Sequence, residues 1–277
     1  MQPQTIWQRM LSIDRRLLYL LLFVNIVAFL VAPIRMPASI SPPVQKFYDE
    51  IEKLKPGDLV MISSNWSAST LAENQPQLEA VLIHLMRKQA RFTFISIEAQ
   101  SRDISYRLAE RVTKTTGYEY GKQWAHFGFV PNFVVAIKGM VNDLPSTVKQ
   151  DVRGTPVSQL EVVKGVKSLG EYKMIIDVTP SATVPIWISY SPKGLPILYC
   201  PTSVMAAEAY TYLDSGQIKG MITGAKGAQE YEQLLQIKGL GAPFANAISF
   251  SHVLIILFIL LGNLAMFMNR AQARREA

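Results

Sequence analysis

The chain has 277 residues, 49% of them hydrophobic and 18% charged, with a net charge of +7 and a mean hydropathy of +0.16. That apolar content excludes a disordered chain and a simple soluble enzyme, and two long uncharged apolar stretches are too few for a polytopic transporter. The basicity is also local. Arg9, Arg15 and Arg16 against Asp14 leave a surplus of +2 at one end, and Arg270, Arg274 and Arg275 against Glu276 leave +2 at the other. Arg35 adds one, and the region between retains only +2. Positive charge beside apolar segments is the positive-inside pattern rather than a phosphate-binding stripe, which argues against nucleic acid as a partner.

In chain order, residues 1–16 read as a cytoplasmic tail and 17–34 as a first transmembrane helix. Its uncharged run is longer than the apolar core of a secretion signal. Pro33 and Met36 also spoil a small-x-small cleavage site, so an uncleaved signal anchor is expected. Residues 36–247 form the outer domain and 248–268 a second span, with no charge between Lys238 and Arg270. Residues 269–277 are a second cytoplasmic tail. Each span is long enough for a hydrocarbon core of about 30 Å. The expected topology places both termini in the cytoplasm and the central domain outside, periplasmic or at the cell surface. Tails of about 16 and 9 residues hold no catalytic or signalling domain.

Within the outer domain, Pro33, Pro37, Pro42 and Pro43 make a stiff exit from the bilayer. A short helix is predicted over 44–53, a strand over 59–62, a helix over 71–89 and a strand over 91–97. A helix follows around 104–115 and a strand over 124–130, whereas 132–140 fits either state. The spacing predicts a helix over 157–169 and a strand over 172–178. Segment 182–190 is ambiguous, 196–200 reads as the last strand, and 204–213 and 216–237 read as helices. Strands separated by helices imply a parallel sheet covered on both faces. The fold class is therefore α/β: a three-layer Rossmann-like or flavodoxin-like extracytoplasmic domain between two transmembrane helices.

In such a sheet, ligands sit beyond the carboxyl ends of the strands. Those ends carry Ser63, Ser64 and Asn65, then Glu98, then Asp177 and Thr179, with Cys200, Thr202 and Ser203 further on. Ser63, Ser64, Asn65, Glu98, Asp177 and Thr179 are the candidate ligand-binding residues. Polar residues also gather there simply because loops are polar and cap helices. No G-x-G-x-x-G or Walker loop follows the first strand, and no G-x-S-x-G elbow is present. His84, His126 and His252 have no ligand spacing, so neither a metal nor a cofactor is expected. Cys200, the single cysteine, reads as a buried inert thiol rather than the nucleophile of a Cys200–His126 pair. No catalytic residue is assigned.

The most patterned stretch is 216–237. Gly216, Gly220, Gly224 and Gly227 would line one face of a helix where another backbone can approach. That face could pack on the domain's own sheet, contact a partner, or offer a helix N-terminus to phosphate. Within the spans, Asn25, Asn263 and His252 are the polar residues of interest, and an Asn25–Asn263 bond would join the two helices, within one chain or between chains. The resulting expectation is a non-enzymatic two-span protein. Its outer domain serves as a scaffold or accessory subunit, and its partners are the lipid bilayer and other membrane subunits or further copies of itself. The competing expectation is an outward-facing ligand-binding or hydrolytic domain that uses the strand-end residues.

Overall fold

Short runs of β-branched and aromatic residues, each bounded by turns and followed by an amphipathic stretch, have one stable outcome: strands buried on both faces with helices above and below. The computed structural model describes residues 5–32 and 37–276. It divides into two compact units, residues 1–36 with 242–277, and residues 37–241.

The 37–241 unit begins with α3 (Pro42–Glu52), following α1 (Ile6–Leu11) and α2 (Arg15–Val31) of the other unit. It continues through β1 (Leu59–Ser64), α4 (Leu71–Arg87), β2 (Arg91–Ser96), α5 (Ala99–Lys114) and β3 (Trp124–Phe129). Next come α6 (Phe133–Asn142), α7 (Leu144–Thr147), β4 (Met174–Thr179), α8 (Val184–Tyr190) and β5 (Ile197–Pro201). The unit closes with α9 (Ala206–Asp214), β6 (Gly220–Met221) and α10 (Gly224–Leu234).

The six strands form one parallel sheet in the order β3-β2-β1-β4-β5-β6. This is the doubly wound order of the Rossmann type, not the flavodoxin one, and strand order reverses between β1 and β4. Alternate residues of each strand feed opposite cores. Val60, Ile62, Phe94, Ile176 and Leu198 face Phe47, Leu78, Leu82, Leu108 and Tyr231 of α3, α4, α5 and α10. Met61, Ile95, Phe127, Ile175 and Tyr199 face Ile137, Leu144, Trp187 and Leu213 of α6, α7, α8 and α9. Each such side chain, fully buried, contributes roughly 1.5–3 kcal/mol, so the two cores together hold the sheet.

Three expectations change. The stretch 157–169 is not a helix but two 3₁₀ turns, Val157–Gln159 and Glu161–Val163, ended by Gly165 at φ +82°. Val157, Leu160, Val162 and Val163 are buried, so their helix-like spacing reflects a folded-over loop covering the sheet. The strand at Ile197–Pro201 is not the last, because Gly220–Met221 pairs beside it.

The third change concerns 216–237, which is not one helix. Gly216 closes α9 in the left-handed region at φ +73°, and its N–H bonds to Leu213 O, as a helix-ending glycine does. Gly220 lies in β6, where a Cβ would run into the backbone of Phe47 on α3. Gly224 starts α10 at φ +60°, and only Gly227 sits inside that helix. The four-residue spacing thus marks a turn, a close approach and a helix start. It is not a stripe. The two ambiguous segments are both helical, as α6 and α8.

In the other unit, α2 is flanked by the N-cap Asp14, whose side chain accepts from Arg16 N. Long α11 (Gly241–Glu276) carries Gly241–Arg274, which among the described residues is the one helix long and apolar enough to cross a membrane. Leu17, Phe23 and Val24 of α2 and Val253, Ile256 and Leu260 of α11 stay exposed. Asn25 Nδ2 donates to Ser251 Oγ at 2.9 Å, and Phe29 stacks on Phe250 with ring centroids 4.6 Å apart. Within one chain this replaces the expected Asn25–Asn263 bond. Asn25 stands level with Ser251, and Asn263 lies about 18 Å further along α11 at 1.5 Å per residue. Asn263 and His252 are both exposed. Ile34, Arg35 and Met36, with the Pro33 of the expected exit, lie outside the described residues.

Candidate functional site

Parallel pairing at the switch point sets Ser63 beside Asp177, and Asp177 beside Tyr199 on the other side. Just beyond β1, Asn65 crosses the carboxyl edge. Its Nδ2 donates to Ser63 Oγ at 2.7 Å and to Asp177 Oδ1 at 3.3 Å, and its Oδ1 accepts from Ile97 N at 2.8 Å. One carboxamide therefore ties the ends of β1, β2 and β4 together. Thr183, in the turn before α8, donates to Asp177 Oδ2 at 2.5 Å, and Thr179 Oγ1 donates to Asn65 O at 3.3 Å. On the opposite face, Ser101 of α5 donates to Ser64 O at 2.7 Å and accepts from Trp66 N at 3.1 Å.

Sequence and structure thus agree that Ser63, Ser64, Asn65, Asp177 and Thr179 converge, but all five are fully buried, at 0% exposure. The crevice where this fold type receives its ligand is occupied by the chain's own side chains. Glu98 stands apart, half-buried at the start of α5 with no cap made by its side chain. Thr183 and Ser101 were not anticipated. Ser101 and Ser105, four residues apart on the inner face of an amphipathic helix, were the available signal for a polar contact there.

Burial pushes the Asp177 carboxyl up to about 7, against the hydrogen bonds from Thr183, Ser63 and Asn65 that favour its ionised form. Desolvation wins because the carboxyl's ring of partners contains no cation. Beside it on β5, burial and the neighbouring Asp177 raise both the Tyr199 phenol and the Cys200 thiol, so Cys200 is held as an unreactive thiol. His126 lies on β3, four strands across the sheet from Cys200, or about 19 Å at 4.8 Å per strand. Its Nδ1 accepts from Gly128 N at 2.9 Å and its Nε2 meets Ser105 Oγ at 3.0 Å. Burial lowers its pKa to about 3, so it is a neutral imidazole fixed in one tautomer.

The rest of the carboxyl edge is tied down in the same way. Gln77 Nε2 of α4 donates to Pro201 O at 2.8 Å and Ile222 O at 2.9 Å, clipping the ends of β5 and β6 to α4. Glu73 Oε2 accepts from Ser203 N and Oγ at 2.7 and 2.5 Å, and it lies 2.6 Å from where a Cβ on Gly224 would stand. The N-terminus of α10, an inviting place for an anion, already holds the protein's own carboxylate. A phosphate there would meet like charge.

Helix α10 also has charged and amide groups bonded to neighbouring segments. Glu230 Oε2 accepts from Ser41 N at 2.9 Å and Ser41 Oγ at 2.5 Å, capping α3 from another helix. Gln233 exchanges two bonds with Ala38, at 2.8 and 3.0 Å, and Glu232 Oε1 accepts from Gly241 N at 2.7 Å. Tyr231 OH bonds His84 Nδ1 at 2.5 Å, and His84 Nε2 reaches Glu52 Oε1 at 2.8 Å. Burial lowers the His84 pKa, so neutral His84 donates to Glu52 through Nε2 and accepts from the tyrosine. This chain of bonds fastens α10 to α4 and α3.

Among the described residues no group of His, Cys, Asp and Glu has the arrangement of a metal site. Compared with protein-family models, with curated proteins and with solved structures, the chain matches none.

Proposed function

We propose that the chain is a two-span membrane protein, with α2 and α11 as its spans and both termini in the cytoplasm. Its outward-facing α/β domain acts as a scaffold or accessory subunit of a membrane protein complex. The single observation carrying this reading is the occupied switch-point crevice: Ser63, Asn65, Asp177 and Thr183 satisfy one another where a ligand would otherwise bind. A domain that spends this position on its own cohesion has no pocket at the switch point. The exposed apolar sides of α2 and α11 and the basic clusters next to them support the membrane assignment. The test is the particle mass of the full chain extracted gently from its own membranes, set against 31.0 kDa for one chain. A discrete larger assembly is expected, and a particle of a single chain would overturn the reading.

A second reading, a ligand-binding or hydrolytic domain, has one observation of its own. Trp66 Nε1, Asn74 Oδ1, Ser96 Oγ and Thr202 Oγ1 are buried at or near the carboxyl edge without a partner among the described residues. Such groups cost about 1–3 kcal/mol each, a cost that a bound polar molecule would remove. Under this reading Asp177→Asn abolishes binding of that molecule while the fold survives. Under the first reading, assembly persists in the same variant.

A further inference from the structure

The opposite edge of the sheet, where the strands begin, has a different electrical character. A cavity of about 260 Å³ opens there between the starts of β1, β2 and β4, lined by Asp58, Arg91, Lys164, Glu171 and Lys173. Arg91 is held in place: Nε donates to Gly57 O at 2.9 Å and Nη1 to Val162 O at 2.9 Å. Both acceptors are neutral carbonyls, so the guanidinium charge is oriented but not neutralised. Among the described residues neither Lys164 nor Lys173 takes part in an ion pair, and the same holds for Lys55, three residues before Asp58, and Lys167, three residues after Lys164.

The two carboxylates on the rim are turned to other work. Asp58 Oδ2 accepts from Lys55 N at 2.8 Å, and Glu171 Oε1 accepts from Lys167 N at 2.6 Å and Ser168 N at 3.1 Å. These bonds orient the two carboxylates without removing their charge, and three cations against two anions leave the lining with a formal surplus of +1. Gly57 and Gly165, at φ +85° and +82°, edge the cavity, and a Cβ on either would find nothing within 4 Å. The opening is therefore unobstructed.

We infer that this amino-edge cavity, between Arg91, Lys164 and Lys173, binds a single phosphate group, borne either by inorganic phosphate or by a phospholipid headgroup. A planar guanidinium fixed at two corners leaves N–H donors for two phosphate oxygens, and flexible ammonium groups close over the remainder. Size limits the ligand. Pockets for drug-sized molecules run about 300–1,000 Å³, so a cavity below that range takes one tetrahedral anion with its waters and not a nucleotide.

The experiment uses the full chain in maltoside detergent micelles, which carry no phosphate, titrated with inorganic phosphate against chloride at matched ionic strength. Saturable phosphate binding is expected, weakened roughly tenfold or more in the Lys164→Gln/Lys173→Gln variant, since the substitutions remove two charge-assisted hydrogen-bond donors. Both lysines are exposed, so the variant should melt as the wild type does without phosphate. Each single variant gives an intermediate affinity. The second arm compares the chain in phosphatidic acid discs. If a headgroup fills the site, the wild type melts higher there, the double variant does not, and free phosphate no longer binds. Affinity unchanged by the double substitution overturns the proposal. So does the absence of phosphate binding in micelles together with equal melting of both proteins in micelles and in phosphatidic acid discs.

Discussion

The two edges of the sheet are both lined with polar residues and come out opposite. At the carboxyl edge, Ser63, Asn65, Asp177 and Thr183 turn inward and satisfy each other at 0–2% exposure. At the amino edge, Arg91, Lys164 and Lys173 line an open cavity, and the nearby carboxylates face backbone N–H groups. The difference follows from what each group can bond to. Short carboxamide and hydroxyl side chains reach across adjacent strands, close a network and exclude water. Long ammonium side chains that form no ion pair remain solvated. In this molecule the edge expected to bind is the one that holds the domain together.

The strongest test of that contrast is Asn65→Ala. The substitution strips partners from Ser63, Asp177 and the Ile97 N–H at once, each buried group costing about 1–3 kcal/mol. A loss of about 3–5 kcal/mol is expected from denaturant unfolding of the full chain in detergent. A loss below about 1 kcal/mol would mean that the network is incidental to the fold.

Asp177→Asn sharpens the same point through pH. Because the folded protein holds this carboxyl up at about 7, it binds a proton that the unfolded chain releases near pH 4. The stabilising contribution is complete below the unfolded value and is lost as pH rises through about 7. Wild-type stability should therefore fall between roughly pH 4 and 7 relative to the asparagine variant, whose profile over that window is flatter. Tyr199 and Cys200, the titratable neighbours on β5, are raised and stay neutral throughout it. Parallel profiles would place the carboxyl outside this account.

A smaller effect is expected for Gly220→Ala, which drives a methyl into the Phe47 backbone where α3 covers the edge strand. Overpacking of this kind costs about 1–3 kcal/mol, readable as a lowered melting temperature. Least affected should be Glu98→Ala, within about 0.5 kcal/mol of the wild type in denaturant unfolding, because Glu98 stands outside the network. A larger change would require the network to be redrawn to include the start of α5.

Much of the architecture could be read from residue order. Apolar runs such as Met174–Thr179 and Arg91–Ser96, with amphipathic stretches between them, left little choice but a parallel sheet with helices on both faces. Where the reading failed, local spacing was shared by two structures. Glycines at 216, 220 and 224 suit a helix stripe as well as a turn, a close approach and a helix start, and the backbone angles that separate these are not written in the spacing. Strand β6 spans two residues, too few to show any period. The candidate site was legible in its membership, because strand ends must converge. It was not legible in its burial, since the reach of Asn65 and Thr183 across neighbouring strands depends on register.

Helix α10 carries one more consequence. Consecutive residues, Glu232 and Gln233, grip the outgoing Gly241 and the incoming Ala38, and Glu230 grips Ser41 one turn earlier. Both ends of the 37–241 unit are thus gathered on the same few ångströms of helix, the condition under which a domain can sit in a chain as an insertion. Mechanically, the helix works as a buckle. Tension on either end of the unit loads the same two turns, and whatever loosens α10 releases both ends together.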